Sequence, residues 1–449
     1  MHLVVAAHDF YPDPGSGGTG RYVHETARRL ASRGHDVSVL TRRRGEVPRR
    51  ETIAGVRVAR YDLDIAERSA PAIARQLPSA VREVRDLLAA LPDPDLLSLQ
   101  GTVTDPLADL LVSDGVPRSA TFHSPWPTEY RIRAGHAADR ADDVADETGP
   151  ATDPAGPDDA ALSAPRRRLN AALRERIERS VLADCQQVLA LSEFMAGKLR
   201  AVHGPAADAG IPDPAVVPGG VDADRYRPDA GVYDPMVERD PATPDAAADG
   251  GPASPTDFLT VRRLAPRMGH GMLLEAFERV LADCAEESRA SDHRPHLYVA
   301  GDGPLREELE QKAATLGIAD DVTFLGYVPD EDLPRAYATA DCFVLPTREL
   351  EGFGLATLEA LASGTPVVAT PVGGTTEILA GLSDDDRVPT EQVVESVTAD
   401  ALAERMRAWA ALAPAERAAA GRACRDHARE NYTWDSTADA LEATYRELV

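Results

Sequence analysis

Short apolar runs alternate along the chain with turn-rich breaks and longer segments of helical spacing. Leu3–Ala7 is such a run, and it is followed by Tyr11-Pro-Asp-Pro-Gly-Ser-Gly-Gly-Thr-Gly20 and then by a stretch in which Val23, Ala27, Leu30 and Ala31 recur at helical spacing. Gly34 supplies a stop, and Asp36–Thr41 reads as the next strand. Strand, glycine-rich loop, helix and strand in that order predict a βαβ opening, with the loop at the carboxyl end of the first strand. Asp95–Leu99, Ser119–Phe122 and Gln187–Ala190 are apolar enough for further buried parallel strands, and Arg168–Ala183 for a helix between them. A second series begins at Phe258-Leu-Thr-Val261. It continues through a helix over Leu273–Leu281, a strand at His296–Gly301, a helix from Pro304, strands at Val322–Gly326 and Asp341–Pro346, a helix over Leu355–Ala362 and a strand at Pro366–Thr370.

Two stretches interrupt this rhythm. Asp139–Ala160 carries eight acidic residues against Arg140 alone, without a stripe or alternation, and reads as a solvated insertion covering about 137–165. Pro228–Asp257 contains six prolines among Asp, Ala and Gly, and reads as a linker or hinge. The predicted class is α/β, with two doubly wound units. Residues 1–218 form the first, 219–257 the hinge, 258–428 the second, and 429–449 a closing helix. At 449 residues and 43% hydrophobic content, two cores are expected.

Charge narrows the function. Forty-eight Lys+Arg against 74 Asp+Glu give a net charge of −26, which disfavours nucleic acid and, away from local patches, an anionic membrane surface. Lys198 and Lys312 are the only lysines. An acidic, lysine-poor surface fits a salt-adapted, halophilic cytosol, where self-repulsion is screened; unchanged stability after dialysis into dilute buffer would count against it. Cys185, Cys284, Cys342 and Cys424 are too scattered for a zinc ribbon or a disulfide framework, consistent with a reducing compartment. The N-terminus lacks the pattern of a signal peptide, and no apolar run reaches the about 18 residues of a membrane span.

Gly15–Gly20 formally matches the dinucleotide motif GxGxxG, but the spacer Tyr11–Pro14 is long and Asp36 begins the second strand rather than ending it. A glycine-rich helix start suited to anionic groups remains, as does a plain loop. Glu351-Gly352-Phe353-Gly354-Leu355 opens a helix that includes Glu359. Its backbone N–H groups can meet a phosphate, and the two carboxylates, about 12 Å apart along the axis, suit hydroxyls on either side of a diphosphate. Arg262, Arg263 and Arg267 cluster in the turn after the second unit's first strand, suited to diphosphate or to surface pairing. Gly301, at another strand end, is a nucleotide-edge candidate. His123 follows a first-unit strand and reads as a cleft residue or a buried structural imidazole.

In order and spacing, these segments resemble the retaining GT-B glycosyltransferases of family 4, the glycogen-synthase and phosphatidylinositol-mannosyltransferase-like group. The likeness runs from Gly17-Gly18-Thr19-Gly20-Arg21-Tyr22-Val23 through Leu189–Arg200, Val216–Tyr226, Ala300–Glu310 and Val322–Leu333 to the E-x7-E pair Glu351 and Glu359, and ends at Tyr432–Leu448. It implies two Rossmann-like domains facing a cleft and retaining transfer of a hexose from a UDP- or GDP-sugar, with no metal or cofactor. Glycan, glycolipid or cell-surface polysaccharide assembly is implied, with a glycan or lipid-linked acceptor, in the cytoplasm or at the inner face of the membrane. By the same resemblance, Glu351 holds the donor sugar, Glu359 the ribose and Arg263 the diphosphate. Val328 approaches the base, His123 lies beside the transferred sugar, and Gly17, Gly18 and Gly20 form the loop closing over phosphate and acceptor. The family's lysine falls at Met268, leaving the second diphosphate cation to Arg262 or Arg267. A UDP-sugar epimerase, an NADP oxidoreductase resting on Gly15–Gly20 with Arg42–Arg44, and a non-catalytic sugar-binding subunit are the competing readings.

Overall fold

A computed structural model describes residues 1–63, 70–101, 104–132, 163–204, 210–237, 256–287 and 294–449. The acidic insertion therefore falls outside the described residues, except for its last three positions, and so does the linker from 238 to 255. The chain divides into two compact units, Met1–Gly219 with Trp434–Val449, and Gly220–Thr433.

The first unit is an eight-stranded sheet built from β1 (His2–Ala7), β2 (Asp36–Arg42), β3 (Arg50–Ile53), β4 (Val56–Tyr61), β5 (Leu96–Leu99), β6 (Arg118–Phe122), β7 (Gln187–Ala190) and β8 (Ala215–Val216). Its order is β3-β4-β2-β1-β5-β6-β7-β8, parallel throughout except for β3 against β4. The apolar runs read as buried strands are buried on both faces, as a sheet sandwiched between helices requires. Around it lie α1 (Gly18–Ser32), α2 (Ala70–Ala89), α3 (Thr104–Leu111), α4 (Ala164–Ala183) and α5 (Glu193–His203). Ser192 caps α5 by accepting the Met195 N–H at 3.2 Å. The last helix, Trp434–Leu448, belongs to this unit and buries Trp434, Leu441 and Tyr445.

The hairpin of β3 and β4 was not anticipated. Arg57 and Arg60 break the apolar pattern of β4, and Arg60 is fully buried, so its polarity hides an interior position.

The second unit is a five-stranded parallel sheet of β9 (Asp257–Val261), β10 (His296–Ala300), β11 (Val322–Gly326), β12 (Cys342–Leu345) and β13 (Val367–Ala369), in the order β11-β10-β9-β12-β13. Its helices are α6 (His270–Glu287), α7 (Arg306–Thr315), α8 (Leu333–Thr339), α9 (Leu355–Ala362), α10 (Thr375–Ala380), α11 (Ala399–Ala410) and α12 (Pro414–Asn431), with Trp434–Leu448 numbered α13. One core joins Phe258, Leu273, Phe277 and Val344 of the sheet and α6 to Leu402, Met406 and Trp409 of α11.

Strand order locates the places where chemistry can happen. In an open α/β sheet, ligands bind beyond the carboxyl ends of the strands where the winding reverses. The reversal falls between β1 and β5 in the first unit, and between β9 and β12 in the second.

Candidate functional site

At the first reversal, Gly101 follows β5 and backs directly onto β1's exit, where a Cβ would lie 2.7 Å from the His8 nitrogen. The loop leaving β1 is fixed by arginines from the neighbouring strands. Arg60 donates to both Asp13 oxygens, at 2.7 and 2.6 Å, and to Glu51 at 2.5 Å. Arg44 pairs with Asp9 at 2.7 Å and donates to the Gly15 carbonyl at 2.8 Å. Gly17 then stands at the N-cap of α1 and Gly18 begins the helix, with no side chain capping its first N–H groups. Gly20 is buried, and a Cβ there would sit 2.9 Å from Ser16 Oγ, so a larger residue would make the Ser16 side chain shift.

The dinucleotide alternative loses its support here. Asp36 pairs with Arg57 at 2.5 Å at the amino end of β2, away from the crevice. Arg43 pairs with Asp62 at 2.6 Å and Arg42 lies against His8 at 3.1 Å, so the arginines that could greet a cofactor phosphate are engaged locally.

His123 lies at the carboxyl end of β6, one strand beyond the reversal. Its ring meets Tyr22 edge-on, with centroids 5.0 Å apart, and its Nε2 is 3.0 Å from Gln100 Oε1. Burial pushes its pKa down to about 4, so the imidazole is neutral near pH 7.

At the second reversal, Arg262 leaves β9 and spans to the segment after β12. Its Nη2 lies 2.6 Å from Glu351 and its Nη1 donates to Thr347 Oγ1 at 2.9 Å, with both charged side chains little exposed, 11% and 12%. Arg263, beside it, is exposed and makes no ion pair among the described residues. Arg267 is spent on structure, donating to the Leu350 carbonyl at 2.8 Å and so holding the segment that carries Glu351. Met268 is 7% exposed and ends the Pro266–Met268 turn, so no cation stands at that position. Gly269 follows with φ +80, pressed so closely on Pro346 that a Cβ would clash with its carbonyl at 1.8 Å. His270 begins α6 fully buried, with neither ring nitrogen hydrogen-bonded among the described residues; burial, with Arg262 nearby, pushes its pKa down to about 3.

Gly352 and Gly354 flank the buried Phe353, and Gly354 caps α9 at φ +109 with no room for a Cβ, which would lie 2.4 Å from Thr375 Oγ1. Leu355 is the first residue of α9. The Glu351 carbonyl accepts the Gly374 N–H at 3.1 Å, which ties this segment to the N-cap of α10. On α9, Glu359 accepts a hydrogen bond from the hydroxyl of buried Tyr337 at 3.2 Å. Gly301, with φ +131, lets β10's exit approach the Arg262 carbonyl, where a Cβ would lie at 1.9 Å. Val328 is buried, whereas Tyr327 before it is exposed.

The second crevice therefore brings together Arg262, Glu351, Gly354 and the Tyr337–Glu359 pair. Sequence reasoning missed Thr347, Tyr337, Gln100 and His270. Thr347, Tyr337 and Gln100 gain their meaning from Arg262, Glu359 and His123 on other elements, and His270 from burial alone, none of which a local pattern shows.

Residues 16–225 match the family model described as Glycosyltransferase Family 4, and residues 246–426 the one described as Glycosyl transferases group 1. The chain is 32% identical over 259 residues to a GDP-mannose-dependent alpha-(1-6)-phosphatidylinositol monomannoside mannosyltransferase of Mycolicibacterium smegmatis, covering 56% of this chain and 59% of that protein. It is 38% identical over 234 residues to a D-inositol 3-phosphate glycosyltransferase of Geodermatophilus obscurus, covering 51% of this chain and 46% of that protein. Matched stretches thus span about half to three-fifths of these relatives. Among solved structures, a sucrose-phosphate synthase from Thermosynechococcus elongatus superposes with a TM-score of 0.73 at 20% identity, over 100% of this chain and 99% of that one. Anabaena HepE in complex with UDP-glucose gives 0.67 at 16% identity, over the whole of both chains. These likenesses show the fold, two Rossmann-like α/β domains. Its two family domains in sequence and its doubly wound sheets make this chain a member of the GT-B glycosyltransferases, with a family 4 N-terminal domain and a group 1 C-terminal domain.

Proposed function

We propose that the chain transfers a hexose from a UDP- or GDP-sugar to an acceptor hydroxyl with retention of anomeric configuration, in glycan, glycolipid or cell-surface polysaccharide assembly. The observation that carries this reading is the Arg262–Glu351 pair at the β9/β12 reversal, beside a glycine-opened helix whose Glu359 is held by Tyr337. Arg263 and Arg262 take the diphosphate, Arg262 standing in for the cation that Met268 does not supply. The α9 N–H groups face the same anion, Glu359 takes the ribose, and Glu351 orients the sugar. Gly301 and Val328 border the nucleotide, His123 lies beside the sugar, and Gly17, Gly18 and Gly20 face phosphate and acceptor.

In the reaction, the bond from the anomeric carbon to the diphosphate oxygen breaks and one to the acceptor oxygen forms. The acceptor proton passes to the leaving oxygen on the same face, so no strong base is needed. The growing charge on the diphosphate is met by guanidinium and helix N–H groups, and we propose that no metal or cofactor enters.

The acceptor is a glycan or a lipid-linked one, met by peripheral contact from the cytoplasmic side. No helix among the described residues is long and apolar enough to cross a membrane. In support of peripheral contact, one face of α4 exposes Arg166, Leu169, Leu173, Arg176 and Arg179, a locally basic and apolar surface on an acidic chain.

A binding screen of nucleotide sugars at high salt tests the reading, followed by mass and NMR analysis of products made from native lipid extract. One donor bound and a product with retained configuration are expected; an inverted linkage, or no donor bound, overturns it.

A further inference from the structure

The polar groups behind His123 form one continuous chain. Gln100, at the exit of β5 and only 3% exposed, directs its amide NH2 to Ser98 Oγ at 2.9 Å and Thr121 Oγ1 at 2.8 Å. Ser98 in turn shares a 3.0 Å hydrogen bond with the hydroxyl of Tyr445 on α13. With both amide hydrogens committed to hydroxyl oxygens, the remaining Gln100 atom, Oε1, can only accept, and it faces His123 Nε2 at 3.0 Å. In this amide orientation the proton of the neutral ring sits on Nε2. That leaves the lone pair on Nδ1 of a ring that is half-buried, and no hydrogen bond to Nδ1 occurs among the described residues.

We propose that Gln100 is a positioning residue that fixes His123 as a neutral hydrogen-bond acceptor, and that Nδ1 selects a sugar presenting a hydroxyl, a neutral hexose, over a uronic acid presenting a carboxylate. A hydroxyl donates to Nδ1, whereas a carboxylate only accepts and would meet the lone pair with its own. Burial, which holds the ring neutral, removes the imidazolium that a carboxylate would need. The inference rests on the proposed reading that His123 lies beside the transferred sugar.

The test uses the full chain labelled with 15N-histidine at high salt, with the His123 signal identified by its loss in His123→Asn. The expected spectrum is that of the Nε2–H tautomer, and in Gln100→Leu it changes to a tautomer mixture. An Nδ1–H signal in the wild type, which the reversed amide orientation would give, overturns the inference.

Consumption of UDP-glucose, GDP-mannose and UDP-glucuronate supplies the second readout. A neutral donor is expected to be used and the glucuronate rejected, with kcat/KM on the neutral donor falling about 5- to 10-fold in Gln100→Leu, the worth of one hydrogen bond. Preference for the glucuronate, or a Gln100→Leu variant with unchanged tautomer and rate, overturns the inference. Gln100→Glu keeps the shape should the leucine variant fail to fold. Its carboxylate stabilises the imidazolium, so preference is expected to move toward the uronate, and an unmoved preference contradicts the proposal. If His123→Asn consumes donor normally, the reading of His123 beside the sugar fails; if that variant is inactive while Gln100→Leu behaves as wild type, only the role of Gln100 fails.

Discussion

In the first unit two arginines near the β1/β5 crevice are spent on the loop leaving β1 and its neighbours, Arg60 on Asp13 and Glu51, Arg44 on Asp9 and the Gly15 carbonyl, and behind the crevice a neutral imidazole rests on a neutral polar chain. In the second unit, at the equivalent reversal, charge remains in the crevice itself, as the Arg262–Glu351 pair with exposed Arg263 beside it. The same topology thus serves two chemistries. Arginines that find carboxylates on neighbouring strands become scaffold, whereas at the β9 exit Arg262 is paired with Glu351 and Arg263 stands exposed without an ion pair among the described residues.

The comparison can be broken at its scaffold end first. Arg60→Met leaves Asp13 buried without its partner, and unfolding free energy at high salt is expected to fall by about 3–5 kcal/mol. Adding Asp13→Leu should recover most of that loss; a single-variant cost within the error of a denaturant melt would show that the pair does not fix the loop. At the ligand end, Glu351→Ala is expected to lower kcat about 10²–10³-fold while nucleoside diphosphate affinity stays within a few-fold, and near-normal turnover would remove Glu351 from the mechanism. Tyr337→Phe strips the donor from Glu359, and UDP or GDP binding should weaken about fivefold by calorimetry. An unchanged affinity would separate Glu359 from the ribose.

The smallest effect is on pH. His123 and His270 have folded pKa values below the ordinary histidine value of 6.5, because burial disfavours the cation. The unfolded chain therefore binds more protons than the folded one below about pH 6.5, and stability is lost as pH falls from there toward 4 for His123 and 3 for His270. Replacing His123 with Asn should flatten that part of the stability profile measured by thermal melts, and an unchanged slope would show that the ring is not held neutral.

Much of the fold was legible because buried parallel strands are continuous apolar runs, so β1, β2, β5–β7 and β9–β13 can be read from sequence within a residue or two. β4 was not, because Arg60 answers a carboxylate 47 positions away, and local pattern carries no such information. In the site, Glu351, Gly354 and Glu359 stand out as a motif on one short helix, whereas Gln100 and Tyr337 gain meaning only through partners on other elements. The Arg262–Arg267 cluster shows the limit between the two. Sequence offers three equivalent guanidinium groups, and the structure gives one to Leu350, one to Glu351 and leaves one exposed.

That last residue offers the most direct measurement. Titration of the full chain with UDP and GDP at high salt should show binding of one of them, and Arg263→Met should weaken it about 10- to 100-fold, as loss of a charge-assisted contact to diphosphate requires. Equal affinity in wild type and variant would contradict a diphosphate site at the β9/β12 reversal.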